Sequence, residues 1–96
     1  MYAVIRHYHH DPKYSNEINE KIITDFLPLI KKIDGFLSHY RIDNGQGEIA
    51  TFSVFKDKLG AEASTKFAVE WAQKSFSAPI FLEHPETMEG DVVIHD

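Results

Sequence analysis

Six histidines are present, and three of them, His7, His9 and His10, crowd one short stretch. In an extended strand His7 and His9 point the same way, a spacing two metal ligands can use. Beyond Asp11 no third ligand with fixed geometry is evident, so the cluster reads as a solvated strand end, and no metal is expected. Arg6 is less ordinary. A central strand rarely carries arginine unless the charge is paired or reaches an opening. Two readings stay open: a polar pocket floor shared with Tyr8, Tyr40, Arg41 or Asp43, and a salt bridge at a seam between subunits. His39 and His95 read as half-exposed strand positions, His39 also being kept as a pocket candidate. No Ser–His–Asp set, glycine-rich phosphate loop or paired-carboxylate site is recognisable. With no cysteine in the chain, disulfide scaffolds, iron–sulfur clusters and thiol catalysis are excluded.

These residues must be held by regular elements. Tyr2 to Tyr8 is β-branched and aromatic without a breaker, which predicts a strand. After Pro12, Ser15 or Asn16 can cap a helix. Its apolar positions Ile18, Ile22, Phe26, Leu29 and Ile33 recur with a 3.6-residue period. Pro28 removes the hydrogen bond to the Thr24 carbonyl, so a kink is expected near Thr24–Phe26. Gly35 is a natural left-handed terminator. Phe36 to Asp43 and Glu48 to Phe55 flank Asn44-Gly45-Gln46-Gly47, which predicts an antiparallel hairpin. Asp57 can cap a second helix running to about Phe76. Its inner face is assigned Gly60, Ala63, Ser64, Phe67, Ala68, Trp71, Ala72 and Ser75. Small residues with two large rings either bring a helix close to a sheet or leave space for a ligand. Asp91 to His95 is expected to be the last strand, after an irregular segment containing Pro79 and Pro85.

Ninety-six residues allow one domain, spanning 1–96. The net charge of -5 comes with no basic stripe, which argues against nucleic-acid binding. No apolar run approaches the ~20 residues of a spanning helix, and the N-terminus lacks the apolar block of a signal peptide. No membrane association and a cytoplasmic location are expected.

The order β-α-β-β-α-β predicts an α+β, ferredoxin-like fold: a four-stranded antiparallel sheet with two helices on one face. Both alternating strand sets hold apolar side chains: Tyr2, Val4 and Tyr8 against Ala3 and Ile5, and Ile49 and Phe55 against Ala50, Phe52 and Val54. A sheet apolar on both sides would expose a large patch as a monomer. A two-fold homodimer, sheet face to sheet face, removes it.

The chain resembles the dimeric α+β barrel superfamily and, within it, the antibiotic-biosynthesis-monooxygenase-like proteins. The resemblance is carried by MYAVIRHY, FLPLIKKIDGF, HYRID, the hairpin into ATFSVFKD, the helix LGAEASTKFAVEWAQ and the closing EGDVVIH. It implies a homodimer whose two sheets form a barrel, with a pocket in each subunit between sheet and helices. It also implies a small-molecule enzyme like the cofactor-independent monooxygenases, in which an electron-rich phenol itself activates oxygen and no cofactor is needed. Trp71 would then stand at the pocket wall, as opposed to being only a core ring. Trp71 and Tyr40 would orient the substrate ring, Phe67 would line the pocket, and Arg6 or a histidine such as His39 would stabilise phenolate charge. Haem-degrading relatives use a first-strand Asn and a haem-ligating His after the Trp helix. Here the strand offers Arg6 and His7, and His84 sits beside Pro85, so haem degradation is not expected. The alternative function is a non-catalytic dimer that binds a small apolar or aromatic ligand or serves as an interaction module, favoured by the absence of a convergent acid–base set.

Overall fold

A computed structural model describes residues 1–75 and 86–96. Strand β1 (Tyr2–His9) is followed by a 3-10 turn (Pro12–Tyr14), whose Asp11 side chain caps the backbone N–H of Lys13 at 3.1 Å. The first long helix then comes in three pieces: α1 (Ser15–Lys21), a π-helical stretch (Ile22–Phe26) and α2 (Leu27–Ile30). Pro28 is the cause. It has no N–H for the Thr24 carbonyl, and the N–H of Leu27 bonds back to the Ile22 carbonyl, five residues away. The kink expected from Pro28 thus takes the form of a widened turn.

Gly35, at φ +86°, ends this unit and leads into β2 (Phe36–Asp43). The turn at residues 44–47 joins β2 to β3 (Glu48–Phe55). Helix α3 (Lys58–Ser75) follows, its Gly60 N–H bonded to the Asp57 carboxylate at 3.2 Å. Strand β4 (Glu86–Asp91) completes an antiparallel sheet of order β2-β3-β1-β4. The structure is the expected α+β ferredoxin-like arrangement. None of the described helices is long and apolar enough to cross a membrane.

Two expectations are corrected. The last strand is Glu86–Asp91 and not Asp91–His95. Its ladder with β1 ends where β1 begins, at Tyr2 opposite Asp91; Val92 adds one bond, from its N–H to the Met1 carbonyl at 2.9 Å, and there the chain of β1 is exhausted. A polar segment becomes the edge strand, as charged edges commonly do. In α3 the buried small residues are Gly60, Ala61 and Ser64, whereas Ala63 is exposed. The inner stripe is rotated by part of a turn, because Gly60 lies against Phe55 so closely that a Cβ there would come within 2.9 Å of the ring.

Register decides which residues face the helices. Tyr2, Val4, Arg6 and Tyr8 of β1 stand opposite Phe55, Ser53, Thr51 and Ile49 of β3. Val4, Ile49 and Phe55 are fully buried on the helix side, and Ile18, Ile22, Phe26, Ile30 and Ala61 form one core cluster with Val4 and Phe55. The other face carries Ala3, Ile5, Ala50, Phe52 and Val54, with Tyr40, Ile42 and Met88 well exposed. The sheet carries apolar side chains on both sides, as its alternating strands predict. A bulge between Phe36 and Ser38 turns Phe36 inward against Phe55.

The hairpin turn is anchored to the end of β1, where His10 donates its N–H to the Gly47 carbonyl at 2.9 Å. Gly45 and Gly47 both have positive φ, but a Cβ at Gly45 meets open space while one at Gly47 comes within 2.3 Å of the His10 carbonyl. Gly45→Ala should therefore cost only the backbone strain, about 1–2 kcal/mol. Gly47→Ala should cost distinctly more. Urea unfolding of the two variants checks the difference; equal losses would contradict the close approach.

Candidate functional site

The helix side of the sheet is polar at its centre. Across the four strands in spatial order, one row reads Arg41, Thr51, Arg6, Thr87, and the next reads His39, Ser53, Val4, Glu89. Strand alternation puts these side chains on the helix side, where Val4, Arg6, Thr51 and Ser53 are buried while Thr87 and Glu89 at the sheet edge stay exposed. Thr51 and Ser53 are buried hydroxyls in positions where a core would ordinarily place aliphatic groups.

Arg6 is 7% exposed. Its Nη2 donates to Thr65 Oγ1 at 2.7 Å and to Ser64 Oγ at 3.3 Å, both on α3. Those hydroxyls in turn donate to the Ala61 carbonyl, so their lone pairs are presented to the guanidinium. Among the described residues no carboxylate pairs with Arg6, and its buried Nε has no hydrogen-bond partner. Burial holds its pKa below the usual guanidinium value, partly offset by Tyr8 and Glu89. The reading of Arg6 as a salt bridge at a subunit seam is therefore corrected: the side chain points to the helices, away from the face a second subunit could cover.

Arg41 approaches from β2. It donates from Nε to Asn19 Oδ1 at 2.7 Å and from Nη1 to the Tyr8 hydroxyl, while its buried Nη2 has no partner. The nearby Asp43 carboxylate accepts the Gly45 N–H at 2.8 Å, a bond that lowers its pKa. The Tyr8 hydroxyl is pushed up by burial and pulled back by Arg41.

His39 bonds through Nδ1 to Ser53 Oγ at 2.8 Å. Burial, with further contributions from the charges of Arg6 and Arg41, lowers its pKa to about 4. His39 is thus a neutral imidazole at neutral pH. Above it lies an aromatic group centred on Phe26. The ring of Phe67 stacks on it at 5.4 Å, Trp71 tilts against it at 5.1 Å, and His39 lies at 5.8 Å.

The structure thus brings together four of the five predicted residues: Arg6, His39, Phe67 and Trp71. Tyr40 does not join them. It pairs with Phe52 on the opposite face and is 63% exposed. His39 and Tyr40 are consecutive in one strand, and the two-residue period forbids both from lining one pocket. Phe26, Ser53 and Thr65 belong to the cluster and escaped sequence reasoning. The buried hydroxyls alternating in β3 were the available signal.

The histidine-rich end is also redrawn. His10 is 1% exposed, its Nδ1 within 2.9 Å of the Asp11 carbonyl oxygen, so it is no solvated residue. His7 and His9 remain partly exposed on the face away from the helices. His95 follows the end of β4 and is exposed, not part of a strand. His84 lies outside the described residues. A surface groove of about 350 Å³ between residues such as Gly35, Lys56 and Ala63 contains none of the predicted residues.

Because the folded pKa of His39 lies below the unfolded value of 6.5, the unfolded chain takes up the proton first. This group therefore lowers stability as pH falls from 6.5 toward 4 and adds no further slope below that. Unfolding midpoints across this window should show a shallower pH dependence for His39→Gln than for the wild type; identical slopes would rule out a buried neutral imidazole.

Neither a family model nor a curated protein matches the chain. Solved structures do. A protein of unknown function from Nitrosomonas europaea superposes with TM-score 0.78 at 15% identity, over 99% of this chain and 91% of that one. The monooxygenase ActVA-Orf6 of Streptomyces coelicolor, solved with nanaomycin D, gives 0.73 at 13%, over 98% and 92%. The haem degrader MhuD of Mycobacterium tuberculosis, solved with two haems in its active site, gives 0.72 at 13%, over 100% and 99%. At these identities the likeness concerns architecture: the chain shares the α+β, ferredoxin-like fold of these proteins.

Proposed function

We propose that the chain binds an anionic aromatic small molecule between its sheet and helices, and that it oxidises this ligand in the manner of the cofactor-independent monooxygenases. The observation that carries the reading is the pair Arg6 and Arg41. Both are half-buried or buried, both flank Thr51, and neither has an ion-paired carboxylate among the described residues. Uncompensated guanidinium groups in a low-dielectric site attract an anion strongly. Phe26, Phe67 and Trp71 offer aromatic surface for its ring.

A phenolate fits both features. Its oxygen would face the arginines, which favour the ionised form, and the ionised ring is the electron-rich species that reduces oxygen. A phenol and O₂ then give a quinone and water, all electrons coming from the substrate. His39, with its pKa near 4, is too weak a base to hold a substrate proton at neutral pH. The reading therefore assigns phenol ionisation to the field of the arginines.

One observation favours the non-catalytic alternative, a small-ligand-binding dimer: the cluster holds no residue poised near neutral pH as acid or base. Oxygen uptake with a panel of dihydroxynaphthalenes separates the two. Turnover by the wild type, slowed about tenfold or more by Arg6→Met through loss of a charge-assisted hydrogen bond and also slowed by Trp71→Phe, supports oxidation. Ligand-dependent thermal shifts without product support the binding protein. Neither turnover nor shift across the panel overturns both.

We also propose that the face bearing Ile5, Phe52, Val54, Ile42 and Met88 is covered by a second copy. Sedimentation should give about twice the 11.0 kDa of one chain, and Ile42→Asp should shift the population toward the monomer. A wild type that stays monomeric at micromolar concentration would overturn this.

A further inference from the structure

Along the chain, Asp11 apart, the sequence offers His7 and His9 no third ligand with fixed geometry. The sheet does. Antiparallel pairing sets Glu48, the first residue of β3, directly opposite His9. His7 Nε2 lies 3.0 Å from Glu48 Oε1, and the His7 and His9 rings meet edge to face at 5.1 Å. One ligand atom from each of the three residues falls within 4.8 Å of the others. All three sit on the sheet face opposite Arg6 and His39, so this cluster is independent of the site discussed above.

We propose that His7, His9 and Glu48 bind a divalent cation of the zinc class. Two imidazoles and one carboxylate form the donor set that zinc takes when three protein ligands leave a fourth position for water. Tetrahedral bonds of about 2.0–2.1 Å place ligand atoms roughly 3.3 Å apart, so side-chain rotations without backbone movement suffice to close the site. The His7–Glu48 contact that must yield is partly exposed, with side chains 36% and 53% accessible. Such a pair contributes little stability and opens easily to an ion.

The surroundings hold the carboxylate in place. Asn44 Nδ2 donates to Glu48 Oε2 at 3.4 Å, leaving Oε1 for the metal, and Asn44 Oδ1 accepts the Glu48 N–H at 3.2 Å. Metal ligands are commonly oriented by such outer bonds. Magnesium and calcium, which prefer all-oxygen shells, are poorly served by this donor set.

The experiment is titration of the intact chain with Zn²⁺, and with Co²⁺ as a spectroscopic probe, using Mg²⁺ as control. One ion per chain, visible d–d absorption of four-coordinate Co²⁺, and weakening on acidification as protons compete for the imidazoles are expected. His9→Ala and, separately, Glu48→Gln should each weaken Zn²⁺ binding by more than the roughly tenfold cost of losing an outer-shell partner. His95→Ala should not, and circular dichroism should show that the variants stay folded. Absence of stoichiometric Zn²⁺ binding, or binding unchanged in both His9→Ala and Glu48→Gln, would overturn the site. Should His9→Ala fail to fold, Glu48→Gln decides alone.

Discussion

The pairing of β1 with β3 is the constraint on which the molecule depends. Eight residue pairs, from Tyr2 opposite Phe55 to His9 opposite Glu48, determine which side chains lie under the helices. A slip of β1 by one residue would turn that strand over against β3: Arg6 would leave the helix side and Ile5 would enter it. The anchors against slippage are at both ends. Phe55 is locked between Phe36 and Gly60, and the Gly47 carbonyl receives the His10 N–H. Every polar group of functional interest inherits its position from this ladder.

That ladder buries charge at a cost. A guanidinium removed from water loses several kcal/mol of solvation even after relaxation, and Arg6 recovers part of it from two hydroxyls. Arg41 and Arg6 flank the same threonine, so each adds positive potential to the other's surroundings. His39 records the result: its conjugate acid is destabilised first by burial and then by both arginines. A fold selected for stability alone would place aliphatic residues at Thr51 and Ser53. Retaining hydroxyls and cations there is the pattern expected where local stability is given up for binding.

Much of the architecture was legible in the residues because it rests on local chemistry. Pro28 announced the irregular helix, Gly35 its end, and Asn44 to Gly47 the hairpin. Strand alternation showed apolar side chains in both sets of β1 and β3, but which set faces the helices is decided only by the register of the folded sheet. Legibility failed where a feature depended on strand partners remote in sequence. The residues Val92 to Ile94 have strong strand preference, but the first strand is exhausted once Val92 has bonded the Met1 carbonyl, while the polar Glu86–Asp91 pairs with it along its whole length. Tyr40 was expected beside Arg6 and Trp71, yet it follows His39 in the same strand, and consecutive strand residues diverge. Glu48 was invisible as a companion of His7 because only the folded sheet brings the two together.

The two faces of the sheet are linked energetically. Ordinarily the helix-covered side of such a small sheet supplies the bulk of apolar burial, yet here its central row is threonine and arginine. The compensating apolar surface stands on the open side, in Ile5, Phe52, Val54, Ile42 and Met88. At roughly 25 cal/mol per Å², covering that side with a second copy would add the burial that the polar row forgoes. In the proposed dimer the polar cluster and the covered face would form one design: burial on the opposite face would offset the cost of keeping cations beneath the helices. Loss of the pairing should loosen the strands that carry Arg6 and Arg41, although neither residue faces the partner, because the same backbones bear both sets of side chains.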